Sequence, residues 1–275
     1  MSKSFRIRVN RKTLNRMHAP SDPAPRPAEE QTPDDTGFSV YALTDVGMVR
    51  RTNQDSLIQA GLLAGVADGM GGHLGGETAS AMCRDTLIEA LAGKTPDPET
   101  LREAVQRANA AVHDRSEKDE SVYGMGTTLC TLWIGREKIY LAHVGDSRCY
   151  LFSGGTLKQV SDDHSMVMEM VRAGVITVEQ AEVHPMRNII TRAIGTDASV
   201  VPDILEFPRT EGDLWLLCSD GLSGMVSDEG IAAVLASDAP DGDKARTLID
   251  EALAAGGHDN VSVVLVRIGH REETV

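Results

Sequence analysis

The sequence predicts an α+β layered sandwich, with antiparallel sheets covered by helices. Three observations lead there. Apolar runs of strand length recur along the chain, and apolar positions spaced by three and four lie between them. Several consecutive strands are joined by turns too short for anything but antiparallel neighbours. With 275 residues and 41% apolar content the chain can bury a sizeable core. An aromatic fraction of only 4% means that Ala, Val, Leu, Ile and Met must build it.

The first 36 residues stand apart. Met1–Pro20 carries six Lys or Arg and no acid, and Ser21–Thr36 is rich in Pro and acidic residues. Without sustained periodicity, 1–36 is expected to be a mobile tail, a solvated extension or a basic arm for an acidic partner. The folded domain is expected over 37–270.

Within it, Val40–Leu43, Leu62–Ala67, Thr128–Ile134, Ile139–Val144, Cys149–Phe152, Leu214–Cys218 and Val261–Ile268 read as strands. The links from 134 to 139 and from 144 to 149 predict that the strands they join are antiparallel partners. Helical faces are formed by Ala79, Met82, Cys83, Leu87 and Leu91, then by Leu101, Ala104, Val105, Ala108, Ala111 and Val112, and by Ala245, Leu248, Ile249 and Ala252. Ser227 before Asp228 and Glu229 starts another helix, with acids at the positive end of its dipole. Ser165 and Thr177 are further starts, Thr177 with Gln180 forming a capping box, and Gly174 is a stop. Met166, Met168 and Met170 form an adaptable apolar surface or ordinary helix packing.

Bulk properties exclude some functions. A formal net charge of -14 argues against nucleic-acid binding, which needs a basic face. No apolar stretch approaches the roughly 20 residues of a membrane span. Cys83, Cys130, Cys149 and Cys218 contain no CxxC pair and mostly lie in apolar runs, as reduced structural thiols of a cytoplasmic protein do.

The acids carry the chemistry. Three apolar strands run into an Asp, in Leu63-Ala-Gly-Val-Ala-Asp68, Leu141-Ala-His-Val-Gly-Asp146 and Leu214-Trp-Leu-Leu-Cys-Ser-Asp220, and a fourth begins just after Asp259-Asn260. If that last strand is antiparallel to its neighbours, all four carboxylates gather at one sheet edge. Such clusters repel unless a cation sits among them, and oxygen-only ligands select Mg²⁺ or Mn²⁺ over Zn²⁺. Asp before Gly or Asn is also a common turn, but four in one context point to a shared purpose. The glycines of Asp68-Gly-Met-Gly-Gly-His-Leu-Gly-Gly-Glu77 allow close backbone approach, so the Gly69 carbonyl is a further candidate ligand. The run lacks the Gly-Lys-Ser/Thr of a phosphate-cradling loop, which excludes a nucleoside triphosphatase.

Eight segments in order then resemble the metal-dependent (2C-type) protein phosphatases, bacterial branch. They are Thr44-Asp-Val-Gly-Met-Val-Arg50-Arg-Thr-Asn-Gln54-Asp55-Ser, Val66-Ala-Asp68-Gly-Met-Gly-Gly-His-Leu-Gly-Gly-Glu77, Gly124-Met-Gly-Thr-Thr-Leu129 and His143-Val-Gly-Asp146-Ser-Arg148. Asp163-His-Ser165, Asn188-Ile-Ile-Thr-Arg192-Ala-Ile-Gly195, Leu216-Leu-Cys-Ser-Asp220-Gly-Leu222 and Gly256-Gly-His-Asp259-Asn260 complete the set.

The resemblance implies a four-layer α-β-β-α sandwich of two antiparallel sheets with a dimetal site at one edge. It implies that Asp68 bridges two Mn²⁺ or Mg²⁺ ions, with Asp220 and Asp259 completing one site and Gly69 serving the other. Asp55 would hold metal-bound waters, Asp146 would help form a weaker third site, and Arg50 would grip the substrate phosphate with its fork of donors. A metal-acidified water would then attack phosphorus in line, with no phosphoenzyme. Phosphorylated proteins are the implied substrates, a Ser/Thr kinase the implied counterpart, and a cytoplasmic monomer the implied form. Two departures stand out. Gln54 replaces a Glu common in the family, and Met70 replaces the His that animal members use as general acid. That leaves metal-bound water as the alternative proton source. His73, three residues on, is read as a helix-start or structural residue. An inactive binding module would have lost a metal ligand, and all three are present; a hydrolase of small phosphate esters is the other rival.

Overall fold

The computed structural model describes residues 37–71 and 75–270. The tail and His73 lie outside the described residues. Along the chain run β1 (Phe38–Asp45), β2 (Asp55–Ala60), β3 (Leu63–Met70), α1 (Gly75–Leu91) and α2 (Pro98–Lys118). Then come β4 (Gly126–Thr127), β5 (Leu129–Ile134), β6 (Lys138–Val144), β7 (Arg148–Ser153) and β8 (Thr156–Gln159). Two short helices follow, α3 (Met166–Arg172) and α4 (Val178–Glu182), and then β9 (Asp203–Pro208) and β10 (Leu214–Cys218). The described chain closes with α5 (Asp220–Ser223), α6 (Asp228–Ala236), α7 (Asp241–Ala254) and β11 (Val261–Ile268).

One sheet has the order β1-β11-β10-β7-β8, the other β2-β3-β5-β6-β9 with β4 against β3. Every pairing is antiparallel. Three apolar layers glue the four structural ones, so the α-β-β-α sandwich stands. Leu87, Leu101 and Val105 join α1 and α2 to the second sheet. Leu248 and Ile249 join α7 to the first, and Val40, Val66, Leu132, Leu141 and Val264 fill the space between sheets. Strand β11 shows why the apolar runs are continuous rather than alternating. Its Val261, Val263 and Leu265 face α6 and α7, while Val264, Val266 and Ile268 face the opposite sheet. Both faces are covered, so both positions of the two-residue period must be apolar.

The cap of α2 was not singled out in the sequence, whereas the signals at 174 and 177 act as anticipated. Asp97 caps α2 by accepting from Glu99 N and Thr100 N, with Pro98 in the first turn. Thr177 and Gln180 form their capping box, and Gly174 takes φ 70° just past α3.

One expectation fails. β5 and β6 pair as foreseen, but β7 does not pair with β6; it crosses to the other sheet and lies between β10 and β8. The link Gly145-Asp146-Ser147 is therefore a sheet-to-sheet crossover. Gly145 makes it possible at φ 106°, where a Cβ would sit 2.6 Å from the Thr128 side chain. Strands β2, β4, β8 and β9 were also not foreseen; they are short or carry exposed polar positions that blur the apolar pattern.

Candidate active site

A cleft of about 330 Å³ opens where the ends of both sheets meet, lined by Arg50, Gln54, Asp68, Gly69, Met70, Gly71, Thr128, Asp146, Asn188, Ile190, Asp220 and Asp259. Asp68 and Gly69 lie in β3, Asp146 follows β6, Asp220 follows β10 and Asp259 precedes β11. Because β11 is antiparallel to β10, the start of one lies beside the end of the other, with Val263 opposite Cys218. All four strand-end carboxylates thus reach one cleft. Asp55 joins them from β2, directly across from Asp68 in the ladder.

The geometry of Asp55 is unusually specific. Ser219 Oγ and Ser262 Oγ both donate to its Oδ2, at 2.8 and 2.6 Å. Since the Ser262 hydroxyl is spent there, Thr44 Oγ1 donates to Ser262 Oγ at 2.8 Å. The other oxygen, Asp55 Oδ1, is buried and has no hydrogen-bond partner among the described residues.

Charge follows position. Burial, then repulsion from Asp55 and Asp220, pushes the Asp68 carboxyl well above the usual carboxylate range. Burial and then Asp220 push Asp146 up to about 7; burial and then Asp259 push Asp220 up to about 6. Burial likewise raises Asp55. Carboxylates this close repel one another when ionised, and a bound cation relieves that repulsion. The donor set is all oxygen, the buried Asp55 Oδ1 lacks a partner, and the residues therefore fit hard divalent ions.

Backbone fit is equally tight at Gly69. A Cβ there would lie 2.0 Å from Gly76 O and 2.5 Å from Gln54 O, so only glycine allows β3, the start of α1 and the 54 loop to meet. Arg50 Nη2 lies 2.6 Å from Asp259 Oδ2 at the rim, while Arg51 is exposed and does not line the cleft. The loop carrying Arg50 is stitched by Asn260, whose Oδ1 accepts from Gln54 N at 2.9 Å. Its Nδ2 donates to Val46 O at 2.9 Å and Thr52 O at 3.0 Å.

The match to known proteins decides the family. The chain matches the Protein phosphatase 2C family over residues 50–254. It belongs to that family. Protein phosphatase PhpP of Streptococcus pneumoniae serotype 2 (strain D39) is 40% identical in an alignment of 245 residues that covers 86% of this chain and 99% of PhpP. The crystal structure of the Mycobacterium tuberculosis serine/threonine phosphatase PstP/Ppp superposes with a TM-score of 0.79 at 39% identity, covering 85% of this chain and 99% of that one. The PstP catalytic domain in complex with two manganese ions gives 0.78 at 36%, again over 85% of this chain and 99% of that one. This 2C-type phosphatase is thus a metal-dependent protein serine/threonine phosphatase of the bacterial kind, served by Mn²⁺ or Mg²⁺ and acting on phosphoproteins.

Several cleft residues escaped the sequence reading as functional ones. Thr128, Asn188 and Ile190 line the cleft, and Asn260, Ser219 and Ser262 orient its loops and carboxylates. Five of the six sat inside family segments, but nothing in their residue type sets them apart from turn and strand filler. Cys218 is buried filler of β10, as expected, and all four cysteines are free and buried.

Proposed function

We propose that Asp68, Asp220 and Asp259, with the Gly69 carbonyl, hold two divalent ions, and that Asp146 helps to hold a weaker third. The supporting observation is the convergence of four carboxylates on one small cleft, with Asp55 paired across the ladder from Asp68 and its buried Oδ1 without a partner among the described residues. When bound, the ions supply Lewis acidity and lower the pKa of coordinated water towards ~7 in the best cases.

The chain's own groups do the rest. Asp55, fixed through Oδ2 by two serine hydroxyls, keeps Oδ1 as a spare acceptor that would orient a water proton. Arg50, on a loop pinned by Asn260, offers paired N–H donors to two phosphate oxygens as charge builds on them. Gln54 replaces a charged residue with a neutral one, so this chain is expected to hold its ions less tightly than relatives with Glu. Met70 brings no proton to the leaving alcohol.

In this reading residues 37–270 are the catalytic domain and 1–36 an extension of it. That division is supported by the match of nearly all of PhpP to only 86% of this chain. The enzyme is a cytoplasmic monomer acting against a Ser/Thr kinase, since a phosphoserine substrate must be supplied by phosphoryl transfer. Among the described residues no helix is long and apolar enough to cross a membrane.

The test is a chelator-stripped sample assayed for phosphate release from a phosphothreonine peptide, with and without Mn²⁺, beside Asp220→Ala. Activity that returns with Mn²⁺ and is absent in the variant is expected. A folded protein inactive with every divalent ion, or an Asp220→Ala variant as active as wild type, would overturn the assignment. Turnover of free sugar phosphates exceeding that of the peptide would favour a small-ester hydrolase instead.

A further inference from the structure

The crossover that carries Asp146 is gripped by a second buried cluster, which the reading above leaves unused. His143 and His164 approach with ring centroids 4.8 Å apart, and with Asp203 they offer three ligand-type atoms within 4.8 Å of one another. The hydrogen bonds speak against a metal among them. Gly145 N donates to His164 Nδ1 at 3.0 Å, so that nitrogen is bare and the ring proton sits on Nε2, 3.1 Å from Asp203 Oδ2. Arg192 Nη1 lies 3.0 Å from the same Nε2 and donates to Asp203 Oδ1 at 2.8 Å. A guanidinium nitrogen already fills the place that a cation would take.

The cluster instead holds both flanks of Asp146. Gly145 is tied twice to His164, by its N–H to Nδ1 and by its carbonyl, which accepts from His164 N at 2.8 Å. Ser147 is tied by its carbonyl, which accepts from His143 Nε2 at 2.9 Å, and by its hydroxyl, 2.7 Å from Thr128 Oγ1. The same Thr128 oxygen accepts from Asp68 N at 2.9 Å, so the network runs on to the centre of the cleft. His164 also anchors the segment beyond it, since its carbonyl accepts from Thr191 N at 2.8 Å. A glycine at φ 106° has no side chain to hold it in place; His164 supplies that restraint, and His143 holds Ser147 on the other side.

We infer that His164, oriented by Asp203 and Arg192, and His143 are positioning residues that fix Asp146 in the cleft. The inference rests on the reading of Asp146 as a carboxylate of the weaker ion site. Neither imidazole reaches the reacting atoms. Their contribution is the placement of one carboxylate relative to Asp68, and outer partners of this kind are worth about 10- to 100-fold in metal affinity or activity.

The experiment is a calorimetric Mn²⁺ titration of the full chain, with melting temperature and peptide kinetics read on the same samples. The variants are His164→Ala, His164→Asn, Asp203→Ala and Asp146→Ala. In His164→Ala the weakest Mn²⁺ site is expected to lose roughly tenfold or more in affinity while the tighter sites keep theirs. His164→Asn is expected to restore most of the loss, because its Oδ1 can accept from Gly145 N. Asp203→Ala, on a partly exposed strand, should show a smaller loss of the same pattern and carries the test if His164→Ala does not fold. A weak site lost in Asp146→Ala but intact in His164→Ala and Asp203→Ala would overturn the positioning role alone. Equal weakening of every site together with a lowered melting temperature would reduce the cluster to a structural one. Weak-site binding that survives in Asp146→Ala would overturn the reading of Asp146 and the inference with it.

Discussion

The carboxylate cleft and the 165–190 segment beside it are built on opposite principles. The cleft draws its residues from strand ends of both sheets, and their places follow from ladder registers whose strands are buried on both faces. To move one carboxylate, a whole strand must slip, which would turn its apolar side chains to the wrong layer. The 165–190 segment is held by local contacts. It consists of two short helices with their own caps, it buries only Val167 and Ala181 among its apolar side chains, and it exposes Val175, Val178, Val183, Met186 and Ile189. Structure of this kind opens at low free energy, whereas the sheet ends open only with the domain. The chemistry therefore sits on the most cooperative part of the molecule, and the adaptable part only borders it.

Several perturbations would break or sharpen that contrast. The largest effect is expected from Asp220→Ala, which should lower kcat/KM by more than roughly a hundredfold while the protein stays folded, read by kinetics and melting on one sample. Leu216→Ala, fully buried on the strand that leads to Asp220, should instead cost about 2–5 kcal/mol in denaturant unfolding and leave the kcat of the folded enzyme near wild type. Equal effects of both changes on activity would dissolve the separation between strand packing and cleft chemistry.

A pH series probes the base of the crossover. Burial, then the nearby His164, lowers the His143 pKa from 6.5 to about 4. The unfolded chain takes up a proton there as pH falls below 6.5, and the folded chain refuses it until about 4. This contribution to stability is therefore present above pH 6.5 and is lost progressively towards pH 4, by about 3 kcal/mol in all. His143→Gln should lack that pH dependence, so the difference between wild-type and variant unfolding free energies should change by about 3 kcal/mol between pH 7 and 4. A difference that stays flat across the range would show the imidazole to be solvated.

Asn260→Ala removes three bonds to the Arg50 loop. It should lower kcat/KM for a phosphothreonine peptide by roughly tenfold or more through misplaced donors, with Mn²⁺ affinity little changed. The smallest effect belongs to the bordering segment. Thr177→Ala opens the capping box, a local loss of about 1 kcal/mol that should speed proteolysis near 177–187 without lowering the global melting temperature. A drop in melting temperature as large as that of Leu216→Ala would join the segment to the cooperative core and erase the contrast.

Most of the fold was legible because its signals are local. Apolar runs marked seven of the strands, and Ser165, Thr177, Ser227 and Gly174 marked helix ends through hydrogen bonds made within four residues. The pairing of β7 was illegible because a short link says only that two strands are near, not that they share a sheet. What decides it is Gly145, whose backbone turns beside Thr128, some distance away in sequence. In the cleft, the carboxylates stood out because Asp after a buried strand is chemically conspicuous. Ser219, Ser262 and Asn260 did not, because a hydroxyl or amide takes its meaning from the partner it meets, and those partners lie on other strands.

The sequence by itself determined the layered class, the element ends, the acidic balance and the family, all properties of residue type and near spacing. The tertiary structure alone decided which sheet receives β7, which oxygen of Asp55 is left without a partner, and how two histidines bracket Asp146. These are relations between groups far apart in the chain. They are set when two doubly covered sheets pack their apolar faces together, and no local pattern carries them.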